Sequence, residues 1–215
     1  MAVRIKQSIA IAFVVFLGLA QSAQAQFPAL IEASEIANGD GSRGFIMQGE
    51  SEGSGSGLVL GSGVSAVGDI DADGRDDFAI SSAGADPNGN DSGRLLVVFG
   101  RDAAFPNPFD LTALDGSDGF VINGESSGEF FGSPVRAAGD LNDDGIDDLA
   151  ACGPWASPNG PASGRCYVVF GDATGFSAAL ELSALDGSNG FAINGEAASD
   201  LAGFSLSPAG DFNAD

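Results

Sequence analysis

The sequence predicts an all-β fold assembled from repeated four-stranded antiparallel sheets. Self-similarity at one fixed step is the first observation that carries this. Gly119-Phe120-Val121-Ile122-Asn123-Gly124-Glu125 recurs 71 residues later as Gly190-Phe191-Ala192-Ile193-Asn194-Gly195-Glu196. Arg94-Leu95-Leu96-Val97-Val98-Phe99-Gly100 returns at the same step as Arg165-Cys166-Tyr167-Val168-Val169-Phe170-Gly171, and Gly68-Asp69, Gly139-Asp140 and Gly210-Asp211 keep it too. The second observation is that the apolar runs are short and bounded by Gly, Asn, Asp and Pro, which is how strands are punctuated. The third is that no run beyond the amino-terminal segment sustains a 3.6-residue apolar stripe.

Each element follows from these runs. Residues 1–25 read as a secretory signal: Arg4 and Lys6 give the positive start, Ile9 to Ala20 the apolar stretch, and Ala23-Gln24-Ala25 the cleavage site. That stretch is too short to span a bilayer, which takes about 20 residues. Residues 26–43 read as a linker. Gly44-Phe45-Ile46-Met47-Gln48-Gly49-Glu50 is a further copy of the Gly-Phe motif, 75 residues before the next one. The first full repeat, about 64–125, places strands near Val64–Ile70, Asp77–Ala83, Arg94–Phe99 and Gly119–Gly124. The second, about 135–196, places them near Val135–Leu141, Asp148–Gly153, Arg165–Phe170 and Gly190–Gly195. A third begins at about 205 and is cut off, so the chain reads as part of something longer. Small sheets of this kind need neighbours to bury both faces, and radial packing into a β-propeller supplies them. A β-sandwich would explain the strands but not the repeat. The expected architecture is therefore an incomplete propeller.

Charge narrows the function. Thirty acidic side chains face 8 basic ones, for a net charge of -22, and there is no histidine. No basic surface is available to displace phosphate counterions, which argues against nucleic acid. No His-based triad or His-ligated zinc site can be built. With 44% hydrophobic residues the chain is no disordered acidic tail, so the acid is organised on a folded scaffold.

The acid is concentrated in loops. Asp69, Asp71, Asp73 and Asp77 stand at positions 1, 3, 5 and 9 of one, with Gly74 at 6. Asp140, Asn142, Asp144 and Asp148 repeat the pattern with Gly145, and Asp211, Asn213 and Asp215 begin it again. Alternate spacing lets side-chain oxygens converge on one hard cation. The glycine permits the sharp turn, and position 7, Arg75 or Ile146, offers a backbone carbonyl. Oxygen-only donors favour Ca2+ over Mg2+ and exclude zinc. An EF-hand would need Glu at position 12, where Ile80 and Ala151 stand inside apolar runs. Asp76, Asp143 and Asp147 lie beside the ligand positions and read as solvated charge. The bland alternative for each loop is an Asp/Gly surface turn.

These residues resemble the FG-GAP repeats of integrin α-chain propellers. Phe131-Gly132 matches the FG element and Cys152-Gly153-Pro154 a variant of GAP, with Asp140 to Asp148 between them. In the first repeat Leu60-Gly61 and Ser82-Ala83-Gly84 stand in those places. The resemblance covers roughly Gly44 to Asp215. It implies blades of a seven-bladed ring, calcium loops away from the main ligand surface, and a binding or adhesion scaffold, but not a particular ligand; the expected partner is an unidentified protein or glycan.

Smaller signals remain. Cys152 and Cys166 fall at the end of one strand and the start of the next, so a disulfide is one reading and two buried thiols the other; Ser81 and Leu95 hold the equivalent places. Trp155 reads either as a ligand-contacting aromatic or as packing against a neighbouring blade. Phe99, Phe120, Phe170 and Phe191 read as core. No nucleophile, general base or cofactor loop stands out, so the chain reads as non-catalytic, exported to the periplasm, cell surface or medium, with no membrane span after cleavage. The competing classes are the propeller part of a larger hydrolase, such as a phospholipase D-like protein, and a structural spacer.

Overall fold

A computed structural model describes residues 11–13, 44–48 and 60–209. Most of the expected leader, the linker and the third loop with Asp211, Asn213 and Asp215 lie outside the described residues. The chain divides into two compact units, one formed by residues 1–51 with 101–113 and the other by residues 52–100 with 114–215.

The second unit holds two sheets. Strands β3 (Leu60–Gly68), β4 (Asp77–Ser82), β5 (Arg94–Val98) and β7 (Gly119–Asn123) follow one another antiparallel. Strands β8 (Val135–Gly139), β9 (Asp148–Gly153), β10 (Arg165–Val169) and β12 (Gly190–Asn194) repeat that meander as a second sheet. The described chain is thus nearly all β, in the blade-like sheets of a propeller. The central strands β4 and β9 are buried at every residue. Both their faces are covered, which is why they read as continuous apolar runs instead of alternating.

One expectation is corrected. The first sheet has five strands, because β11 (Ala179–Glu181) joins the edge of β7 in parallel, Leu180 opposite Ile122. In the first unit, β6 (Phe109–Asp110) pairs parallel with β2 (Ile46–Gln48) in the same manner, and β1 (Ile11–Phe13) pairs antiparallel on the other side of β2. Each long excursion after a repeat's third strand therefore contributes a short strand to the outer strand of the preceding copy. Strands of two or three residues carry no periodicity, so this addition left no pattern to read. A 3-10 turn follows each one, Leu111–Ala113 and Leu182–Ala184, and buries its leading leucine.

The core of the second unit runs through the two sheets. Phe120 stacks on Phe176 with ring centroids 4.1 Å apart, and Phe131 meets Tyr167 edge-on at 5.5 Å. Burying a ring of this size contributes about 1.5–3 kcal/mol. Phe99 and Phe120 are buried as expected, whereas Phe170 is half-buried and Phe191 is 39% exposed. Phe176 covers Phe120 from the following repeat, and among the described residues none stands in the corresponding place over Phe191.

Candidate metal centre

The acidic loops are the connections between the first two strands of each sheet. Gly68 pairs with Asp77 and Gly139 with Asp148, each beyond a bulge that ends the regular ladder. Within the loops, Gly74 and Gly145 have φ of 89° and 87°, the left-handed region in which an L side chain is strained. The glycine at position 6 is therefore required by the turn.

The two loops share one hydrogen-bond scheme. Asp69 Oδ1 and Oδ2 accept from the amides of Asp73 and Gly74 at 3.0 and 2.8 Å, and Asp140 does the same for Asp144 and Gly145 at 3.1 and 2.8 Å. Position 3 accepts from the amide of position 5 at 3.2 Å for Asp71 and 3.3 Å for Asn142. Position 5 accepts from position 7 at 2.9 Å in both loops. Side chains that fold back on their own backbone hold the turn and gather its oxygens.

The ninth-position acid does more than close the loop. Asp77 accepts from Ile70 at 2.9 Å and from Gly100 at 2.7 Å, and is 1% exposed. Asp148 accepts from Leu141 at 2.8 Å and Gly171 at 2.9 Å, and is fully buried. Each staples its loop to the residue just past the third strand. That second role was not read from the sequence, although the acid's fixed place at the head of a buried strand hinted at it.

In the first loop, carboxylate oxygens of Asp69, Asp71 and Asp77 lie within 4.8 Å of one another. Asp73 stands apart from this group and pairs through Oδ2 with Arg75 Nη1 at 3.0 Å, near solvent. In the second loop, Asn142 Nδ2 donates to Asp144 Oδ2 at 2.8 Å. Electrostatics follow the crowding. Burial, then the charges of Asp71 and Asp69, push the Asp77 carboxyl up to about 7. Burial comes first for Asp71 and Asp148 as well; Asp73 and Asp69 also raise Asp71, and Asp144 and Asp140 raise Asp148. The donor set is all oxygen and rich in negative charge, the kind a hard divalent cation fits.

Residues 60–98 match the family model of the FG-GAP repeat, a span that runs from β3 through the first loop to the end of β5. Over this segment the chain is similar to an FG-GAP repeat. The chain is also similar to integrin alpha-IIb of Mus musculus, at 31% identity over 112 residues, and to that of Homo sapiens, at 32% over 110. Those matches take in 52% and 51% of this chain and 10% of each relative, so the chain spans far less than the length of the curated relatives it matches. The same strand–loop–strand unit as the FG-GAP repeat returns in β8 to β10.

Two further features involve residues of the second repeat. Cys152 and Cys166 are direct partners on β9 and β10 and form a disulfide, with Cα atoms 4.0 Å apart. Asp147, read as solvated charge, instead binds the first loop through the Asp69 amide at 3.0 Å. Among the described residues, no helix is long and apolar enough to cross a membrane.

Proposed function

We propose that the chain is an exported, calcium-stabilised binding or adhesion scaffold, non-catalytic in itself, whose blades are locked by metal in their first loops. The observation that carries this reading is the convergence of Asp69, Asp71 and Asp77 inside an FG-GAP repeat. Calcium would be held by these three, with Asp73 and the Arg75 carbonyl completing the first loop. Asp140, Asn142, Asp144, Ile146 and Asp148 serve the second, and Asp211, Asn213 and Asp215 supply the opening ligands of a third.

The ion supplies the positive charge that the loop lacks. Without it, Asp69, Asp71 and Asp77 repel one another across a short turn. Asp77 and Asp148, already stapled to backbone amides, carry the rigidity of the loop into the end of the third strand. A disulfide between adjacent strands supports an oxidising compartment. Extracellular calcium modules bind at about 10⁻⁴–10⁻³ M, which suits constant occupancy rather than signalling.

Equilibrium dialysis of the full chain against radioactive calcium tests the reading. Saturable uptake in that range, not displaced by equal magnesium, is the expected result. Uptake no greater than that of a chain lacking Asp69, Asp71 and Asp77 would overturn it.

A further inference from the structure

Trp155 is the sole tryptophan and is 48% exposed, in the turn between β9 and β10. Its side chain is only half covered. A cavity of about 160 Å³ opens beside it, lined among others by Ser126, Ser127, Glu129, Ser157 and Arg165. Two repeats build this cavity. The serines at 126 and 127 and Glu129 come from the connection after β7, and the rest from the second repeat.

The polar groups are held in place before any ligand arrives. Glu129 is 2% exposed, and its Oε1 accepts from the Glu125 amide. Arg165 is fixed by Asn194 Oδ1 at 2.6 Å on Nε and by Glu125 Oε2 at 2.5 Å on Nη1. The Tyr167 hydroxyl donates to the same Glu125 oxygen at 2.8 Å, and burial holds that phenol well above its ordinary pKa, so it stays a donor. The equivalents in the first repeat differ: Gly84 stands for Trp155 and Leu96 for Tyr167. The Arg165–Asn194 bond recurs as Arg94–Asn123 at 3.1 Å and belongs to the repeat, whereas the indole and the phenol are particular to this junction.

We infer that this junction is a binding site for a neutral glycan, with Trp155 as the stacking platform and Glu129, Arg165 and the serines as hydroxyl partners. An exposed indole face beside fixed carboxylate, guanidinium and hydroxyl groups matches a pyranose ring, which has one apolar face and a rim of hydroxyls. A carboxylate and a guanidinium side by side pair with vicinal hydroxyls, one accepting and one donating. Anionic glycans are disfavoured by the net charge of -22. A second cavity of about 330 Å³ shares Trp155 and is lined by Phe130, Pro134 and Phe204, giving a second sugar an apolar wall. The site deepens the scaffold reading above, on which it rests.

The single tryptophan makes its own emission the readout. The full chain, in calcium, is titrated with maltotriose, cellotriose, and the trisaccharides of mannose, galactose and N-acetylglucosamine. A saturable emission change with at least one is expected, weakened about tenfold or more in Glu129→Gln, which keeps the reporter. Trp155→Ala, checked by circular dichroism, abolishes retention on a column of the same sugar. Silence across all five, in a chain whose melting temperature still rises with calcium, overturns the glycan site and leaves the scaffold reading standing. A sugar response without any calcium response does the reverse.

Discussion

Asp147 in the second acidic loop accepts, through Oδ2, a 3.0 Å hydrogen bond from the backbone amide of Asp69, the first residue of the first loop. Its own amide donates back to the Asp69 carbonyl at 3.3 Å. The approach is close enough that a Cβ on Gly68, whose φ is +80°, would fall 2.1 Å from that carboxylate oxygen. The two loops are thus tied across the junction between repeats. Asp147→Ala should cost about 1.5–3 kcal/mol, as the loss of a hydrogen bond to a charged group does. It should also weaken calcium uptake by the first loop, although it alters no ligand there. Calcium-dependent melting of the variant checks both effects.

The staples at position 9 should matter with or without metal. Asp77→Asn replaces one acceptor oxygen by an N–H donor facing the Ile70 or Gly100 amide. A buried donor left without an acceptor costs about 1–3 kcal/mol. Chemical denaturation in chelator should show this loss at Asp77 and, equally, at Asp148.

How legible this was differs from part to part. The eight repeated strands could be placed within a few residues because their runs are bounded by glycine and acid at a constant step. The loops announced themselves through alternate oxygens and a glycine at position 6. The parallel additions of β6 and β11 were not legible, since two or three residues carry no period. Asp147 looked like spare charge because its partner sits in another repeat, 78 residues away. Phe191 looked like core because its repeat-mate Phe120 is, yet coverage depends on the neighbour that supplies Phe176. The sequence fixes what each blade is made of, whereas contacts between blades emerge only in three dimensions.

Glu129 supplies a pH signature away from the loops. Burial raises its carboxyl from 4.5 to about 6; Glu125 adds to the rise and Arg165 opposes it. Tyr167 also faces this group, as a donor to Glu125. The folded state therefore binds more protons than the unfolded state between these values. Its contribution to stability falls as pH rises from about 4.5 to 6, by about 2 kcal/mol. Glu129→Gln should flatten that part of the stability profile, measured by denaturation across pH 4 to 7.

Reduction of the disulfide should also be felt. Cys152 and Cys166 enclose a loop of sequence separation 14, and cross-links of that span contribute about 3 kcal/mol. Cys152→Ala/Cys166→Ala should lower the melting temperature to the value of the reduced protein, with no further drop on adding reductant.

The most direct test of the central claim is the melting temperature of the full chain, followed by circular dichroism as calcium is added. Asp71→Ala/Asn142→Ala serves as the control, because position 3 accepts only one long bond from the turn's backbone, at 3.2 and 3.3 Å, and its loss withdraws a ligand oxygen while leaving the other backbone bonds of the turn, at the cost in the second loop of the 2.8 Å Asn142–Asp144 side-chain bond. The account predicts a saturable rise in the natural chain, strongly reduced in that control. A folded, β-rich chain whose melting temperature ignores calcium would contradict it, and would leave the acidic loops as turns held by their own hydrogen bonds.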